Sequence, residues 1–149
     1  MPWSRRHEIV LRIASSILYL HQEWEQCVVH RDIKPNNVML DASFNAKLGD
    51  FGLTRLVDHS HGLHIMVLAS TVGYMDLECM VTGRADTELD VYSFGIMLLT
   101  ITCGRQSMVL IREDVIHLVQ WVWESHYCTG TILDAADQYY HRRIAERRV

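Results

Sequence analysis

Ile9, Ile13, Ile17 and Leu20 recur at helical spacing behind Pro2 and Ser4, while Arg5, Arg6, Glu8 and Arg12 take other positions around the turn. This pattern predicts an amphipathic helix from Ser4 to Glu23 that buries one stripe and packs rather than catalyses. The texture then changes. Val28-Val29, Val38-Met39-Leu40 and Lys47-Leu48 are short apolar runs between turn-rich stretches, which predicts short strands bracketing a loop. From Asp50 to Glu78 no period is sustained and Gly52, Gly62 and Gly73 interrupt the chain. A long surface loop is expected there, of a length that accompanies either function or disorder.

Glu88 to Cys103 is apolar on nearly every face, through Leu89, Val91, Phe94, Ile96, Met97, Leu98, Leu99 and Ile101. It predicts a buried central helix, with Gly104 free to close it in a left-handed cap. Val115, Ile116, Val119, Val122 and Trp123 form a stripe against Glu113, His117, Gln120 and Glu124, which predicts a further amphipathic helix from Arg112 to Tyr127. With no internal repeat, low-complexity tract or linker, the 149 residues read as one mainly helical domain. A chain of that length buries roughly two-thirds of its unfolded surface.

Composition narrows the classes. A net charge of −4 and a pI near 6.1 argue against a general nucleic-acid or membrane-surface binder. Arg142, Arg143, Arg147 and Arg148 read as a solvated helix face. Cys27, Cys79, Cys103 and Cys128 lack paired zinc spacing and are expected as reduced, buried thiols. His59, His61 and His64 approach a metal-ligand spacing without a thiol or carboxylate cluster beside them. The apolar run from Val91 to Ile101 is broken by Tyr92, Ser93, Gly95 and Thr100 and is too short for a membrane span.

Against that background two motifs carry chemistry. His30-Arg31-Asp32-Ile33-Lys34-Pro35-Asn36-Asn37 lies between two expected strands, and Asp50-Phe51-Gly52 follows the second. An acid, a lysine and an amide are thus gathered on one loop stiffened by Pro35, while Gly52 lets the backbone turn directly after another acid. Either motif alone is an ordinary turn; together they form the catalytic-loop and metal-binding signature of phosphoryl transfer to a protein hydroxyl. That reaction needs alignment, metal ions and charge stabilisation more than covalent chemistry. Thr71-Val72-Gly73-Tyr74, Asp76-Leu77-Glu78 and Asp90-Val91-Tyr92-Ser93-Phe94-Gly95 follow in the order the signature requires.

From Trp3 to Asp137 the chain resembles the large lobe of a plant receptor-like serine/threonine protein kinase. The wording from Glu78 to Ala85 is similar to that of the legume-lectin-domain receptor kinases. The resemblance implies a mainly α large (C-terminal) lobe with a few short strands around the catalytic loop. It implies that Asp32 accepts or orients the substrate hydroxyl proton and that Lys34 neutralises the moving phosphate of ATP. Asn37 and Asp50 would hold Mg2+. Arg31 would gather an activation-loop phosphate, Phe51 and Gly52 would open that loop, and Thr71 and Glu78 would belong to its docking end. Asp90 would brace the catalytic-loop backbone, and His30 with Phe51 would join a hydrophobic column. Lys34 favours serine or threonine as the acceptor.

The resemblance also sets limits. Residues 1–149 are expected as a partial kinase domain, without the small N-terminal lobe and the final helices, so the Gly-rich loop and the strand lysine have no counterpart in them. The isolated chain is therefore expected to be inactive. The alternatives are a catalytically inactive kinase-like binding module, holding a kinase or scaffold partner on the helix of Trp121 and Trp123, and a decayed gene product. The chain departs from the family's pattern too, with Ile65 and Met66 where hydroxyl residues are common and Leu77 where proline is common. A cytoplasmic place is implied for this chain, and plasma-membrane receptors for full-length relatives.

Overall fold

The computed structural model describes residues 1–56, 72–74, 86–111 and 114–137. The first stripe folds as expected: α1 spans Trp3–Leu18 and runs on through a π-helical turn at Tyr19–Glu23. Ile9, Ile13 and Ile17 face inward, one turn apart, as residues four positions apart on a helix must. Among the described residues three antiparallel ribbons follow along the chain. β1 (Val28–Val29) pairs with β4 (Arg55–Leu56), β2 (Val38–Leu40) with β3 (Ala46–Leu48), and β5 (Met108–Ile111) with β6 (Asp114–His117). The β2–β3 register sets Val38 opposite Leu48 and Leu40 opposite Ala46.

α2 (Thr87–Cys103) is the hub, ended by Gly104 at φ 64. Its Met97 joins Ile9, Ile13 and Ile17 of α1, Ile33 of the loop and Ala46 and Leu48 of β3 in one core, edged by Phe94 and Ile101. Its Cys103 joins a second core with Leu118, Val122 and Ala135. Fully burying side chains such as Ile13, Ile33 and Met97 contributes about 1.5–3 kcal/mol each. The helix is less enclosed than its composition suggests, because Val91 and Tyr92 are exposed.

Two further expectations are corrected. The helix expected from Arg112 to Tyr127 starts only at Leu118: α3 is Leu118–Val122, continued by a π-helical turn at Trp123–Tyr127. Asp114–His117 is a strand because Met108–Ile111 offers it a ladder and because β-branched Val115 and Ile116 suit a pleat, one exposed and the next half-buried. Leu118 then turns the chain, its N–H donating to the Ser107 carbonyl at 2.8 Å. The stretch from Asp50 to Glu78 is not loop throughout, since it holds β4 and 3-10 turns at Phe51–Leu53 and Val72–Tyr74. No helix among the described residues is long and apolar enough to cross a membrane.

The thiols divide rather than being uniformly buried. Cys103 is buried, Cys27 half-buried and Cys128 exposed, all of them free, while Cys79 lies outside the described residues. Burial pushes the Cys103 thiol above its usual range, against the pull of the nearby Arg105. Iodoacetamide labelling of the folded chain is therefore expected to modify Cys128 well before Cys103, as peptide mapping over time would show, because the thiolate is the reactive form.

Candidate active site

The expected catalytic loop is held from beneath by one carboxylate. Asp90, in the first turn of α2 and fully buried, accepts the His30 N–H on Oδ2 and the Arg31 N–H on Oδ1, each at 2.7 Å. Its Oδ2 also lies 2.9 Å from Nε2 of His21. A buried carboxylate with so many donors holds its neighbours to one geometry, since any unmet partner would cost its full desolvation. The loop it holds is bent: Arg31 has φ 71, a left-handed conformation that is uncommon for any residue but glycine.

Beyond that bend the polar groups converge. Lys34 Nζ donates to Asp32 Oδ2 at 2.7 Å, and Asn37 Nδ2 donates to the same oxygen at 2.8 Å and to the Asp32 carbonyl at 2.7 Å. All three side chains are buried, Asp32 at 2% exposure. Pro35 opens a short 3-10 turn, Pro35–Asn37, that folds Asn37 back over Asp32. A buried acid hydrogen-bonded to both an ammonium and an amide is held to one direction.

The second motif is tied to the first through the base of the β2–β3 ribbon. Gly49 N–H donates to the Asn37 carbonyl at 2.8 Å, which sets Asp50 just beyond the ribbon. The His30 ring bridges the same gap, with Nε2 3.0 Å from the Gly49 carbonyl and Nδ1 accepting the Asp32 N–H at 3.3 Å. This pattern assigns the ring proton to Nε2. Phe51 packs on that ring, centroids 4.9 Å apart. Asp50 is exposed, at φ 58, and its Oδ1 accepts the Gly52 N–H at 3.4 Å.

The donors at the mouth of this site suit magnesium. Asn37 commits its amide nitrogen to Asp32, so what it can offer a cation is its amide oxygen, and Asp50 offers an exposed carboxylate. Both are hard oxygens. Mg2+ takes one or two such ligands and keeps water and phosphate for the rest. Among the described residues no three His, Cys, Asp or Glu side chains form a ready-made metal cluster, so the oxygens of a nucleotide would have to complete the shell.

Of the residues expected from sequence, Arg31, Asp32, Lys34, Asn37, Asp50, Phe51, Gly52 and Asp90 are brought into this one neighbourhood by the contacts above. Thr71 and Glu78 lie outside the described residues, as do His59, His61 and His64. His21 was missed. Its signal was present, because it stands four residues past Ile17, where the buried stripe of α1 should continue, and a polar residue at such a place needs a buried partner.

A loop carrying buried Asp, Lys and Asn, braced by a helix carboxylate and followed by a second, exposed acid, is the arrangement expected of a protein-kinase large lobe. The family model for the protein kinase domain matches residues 2–125, and the chain belongs to that family. It is 52% identical over 141 residues to the L-type lectin-domain containing receptor kinase IX.1 of Arabidopsis thaliana, covering 93% of this chain and 22% of that protein. The IX.2 receptor kinase of the same plant is 51% identical over 158 residues, with 98% and 23% covered. The receptor kinase SIT2 of Oryza sativa subsp. japonica is 43% identical over 147 residues, with 98% and 22% covered. The chain thus spans about a fifth of the length of these curated relatives.

Proposed function

We propose that this chain is the phosphoryl-transfer part of a serine/threonine protein kinase that works on the cytoplasmic side of a plant receptor. The observation that carries the reading is the convergence of Lys34 and Asn37 on one oxygen of Asp32. Asp32 orients an incoming serine or threonine hydroxyl and takes up its proton as the oxygen attacks phosphorus. Lys34, already beside that carboxylate, offsets negative charge on the phosphoryl group in flight. Asn37 and Asp50 would hold magnesium, which when bound neutralises the polyphosphate of ATP and aligns it. Asp90 fixes the loop and His30 links its two halves. Arg31 is assigned to a loop phosphate, and Phe51 and Gly52 to the start of that loop, with Thr71 and Glu78 at its substrate end.

The direct test joins the chain behind the part of the IX.1 receptor kinase that precedes its aligned region. The joined protein is expected to move phosphate from Mg–ATP to serine or threonine in a peptide mixture, and the 149-residue chain alone to move none. Phosphotyrosine as the sole product, or no product from a folded fusion, would count against the reading. Turnover by the chain alone would place it closer to a self-sufficient enzyme. The binding-module reading draws on the exposed ridge of Val119, Trp123 and Tyr127, where the last two rings stack at 4.4 Å.

A further inference from the structure

α1 has a second face. Leu11, Ser15 and Leu18 stand four and three residues apart and share the side of the helix turned away from Ile9, Ile13 and Ile17. Both leucines are about half exposed. So are Tyr19 and Trp24 at the π-helical turn, whose rings meet edge to face with centroids 5.7 Å apart. Four large apolar groups thus lie uncovered along one rod, where a lone exposed leucine would need no explanation. The Ser15 hydroxyl between them is already spent on the Leu11 carbonyl at 3.0 Å, so the middle of the face brings no unmet donor.

The charges along this rod are sorted by its ends. Arg5 and Arg12 stand exposed toward its start, where the one acid, Glu8, is already paired with Arg5 at 3.2 Å. Glu23 and Glu25 stand exposed at its far end, and the sequence has no lysine or arginine between Arg12 and Arg31. A face that is basic at one end, apolar in the middle and acidic at the other is complementary to itself turned end for end. Laid across a second α1 with the two-fold axis beside Ala14 and Ser15, Leu11 of each copy meets Leu18 of the other. The Tyr19 and Trp24 rings then fall against the first turns of the partner helix, within reach of its arginines. Glu23 and Glu25 come opposite those same arginines, whereas parallel packing would set like charges together.

We propose that two copies of this chain associate through this face, α1 against α1 and antiparallel. The contact is isologous, so it closes at two. One helix face covers less than the roughly 1,200–2,000 Å2 of a standard stable interface, so the dimer forms and separates reversibly in the micromolar range. It uses no side chain assigned to the Asp32 site and stands whatever chemistry that site performs.

Sedimentation equilibrium of the full chain over a rising concentration series reads the association. The mass is expected to climb from that of the 17.3 kDa chain toward twice that value and no further. Leu18→Glu is expected to weaken the dimer by about tenfold or more while leaving the circular dichroism spectrum unchanged, since the side chain it replaces is half exposed. Charge reversal reads the orientation. Arg5→Glu with Arg12→Glu makes both ends of the face acidic, and Glu23→Lys with Glu25→Lys makes both basic. Each double variant alone is expected to stay monomeric, and an equal mixture of the two to dimerise. A parent chain that stays monomeric or grows past a dimer, or a dimer that Leu18→Glu leaves intact, would overturn the proposal. So would a mixture that associates no better than its components. Should Leu18→Glu fail to fold, the mixture decides.

Discussion

Asp90→Ala is expected to lower the unfolding free energy by about 3–5 kcal/mol, the range for stripping one partner from a buried charged network. Three groups lose their acceptor at once: the N–H groups of His30 and Arg31 and the His21 ring. Each orphaned buried donor costs about 1–3 kcal/mol, and Asp90 itself is fully buried. Urea melts followed by far-UV circular dichroism would measure the loss. Hydrogen exchange would locate it, with the His30 and Arg31 amides losing protection beyond the global change. Asp90→Asn keeps one acceptor oxygen and is expected to fall between the parent and the alanine variant. A loss below about 1 kcal/mol for Asp90→Ala would mean that the loop is held elsewhere.

The largest effect on rate is expected from Asp32→Asn in the protein joined to the leading part of a relative. Asparagine keeps the size of the side chain and one oxygen for Lys34 and Asn37, so the loop stays folded. It cannot take a proton. Removing a positioned base costs roughly 10²–10⁴ in rate, and kcat should fall by that much while KM for Mg–ATP changes little. Steady-state kinetics on a serine peptide would separate the two constants. A loss smaller than about tenfold would show that Asp32 only shapes the loop, the role its contacts with Lys34 and Asn37 could serve without chemistry.

Much of this was legible before any coordinates. The stripe of Ile9, Ile13 and Ile17 and the apolar pairs and triplets at Val28, Val38 and Lys47 mark α1 and the small strands because their periods differ and their lengths are short. The convergence on Asp32 was legible as types in order, though not as geometry, since only the folded loop shows that both donors choose one oxygen. The β5–β6 ribbon was not legible. Val115, Ile116, Val119 and Val122 satisfy a helical stripe as well as a strand leading into a helix, and what decides is the partner strand at Met108–Ile111, which no local pattern contains. His21 was legible as a polar residue in an apolar place, while the identity of its partner, Asp90, shows only in the fold.

Among the described residues, two of the three non-glycine residues with positive φ are Arg31, beside Asp32, and Asp50, itself assigned to the reaction. Such torsions cost on the order of 1 kcal/mol apiece, which the rest of the fold must offset. A lineage kept only for its durability would gain by relaxing both bends, with glycine or a straighter path. These two awkward torsions are therefore the place to read whether a descendant of this gene is still under selection for turnover.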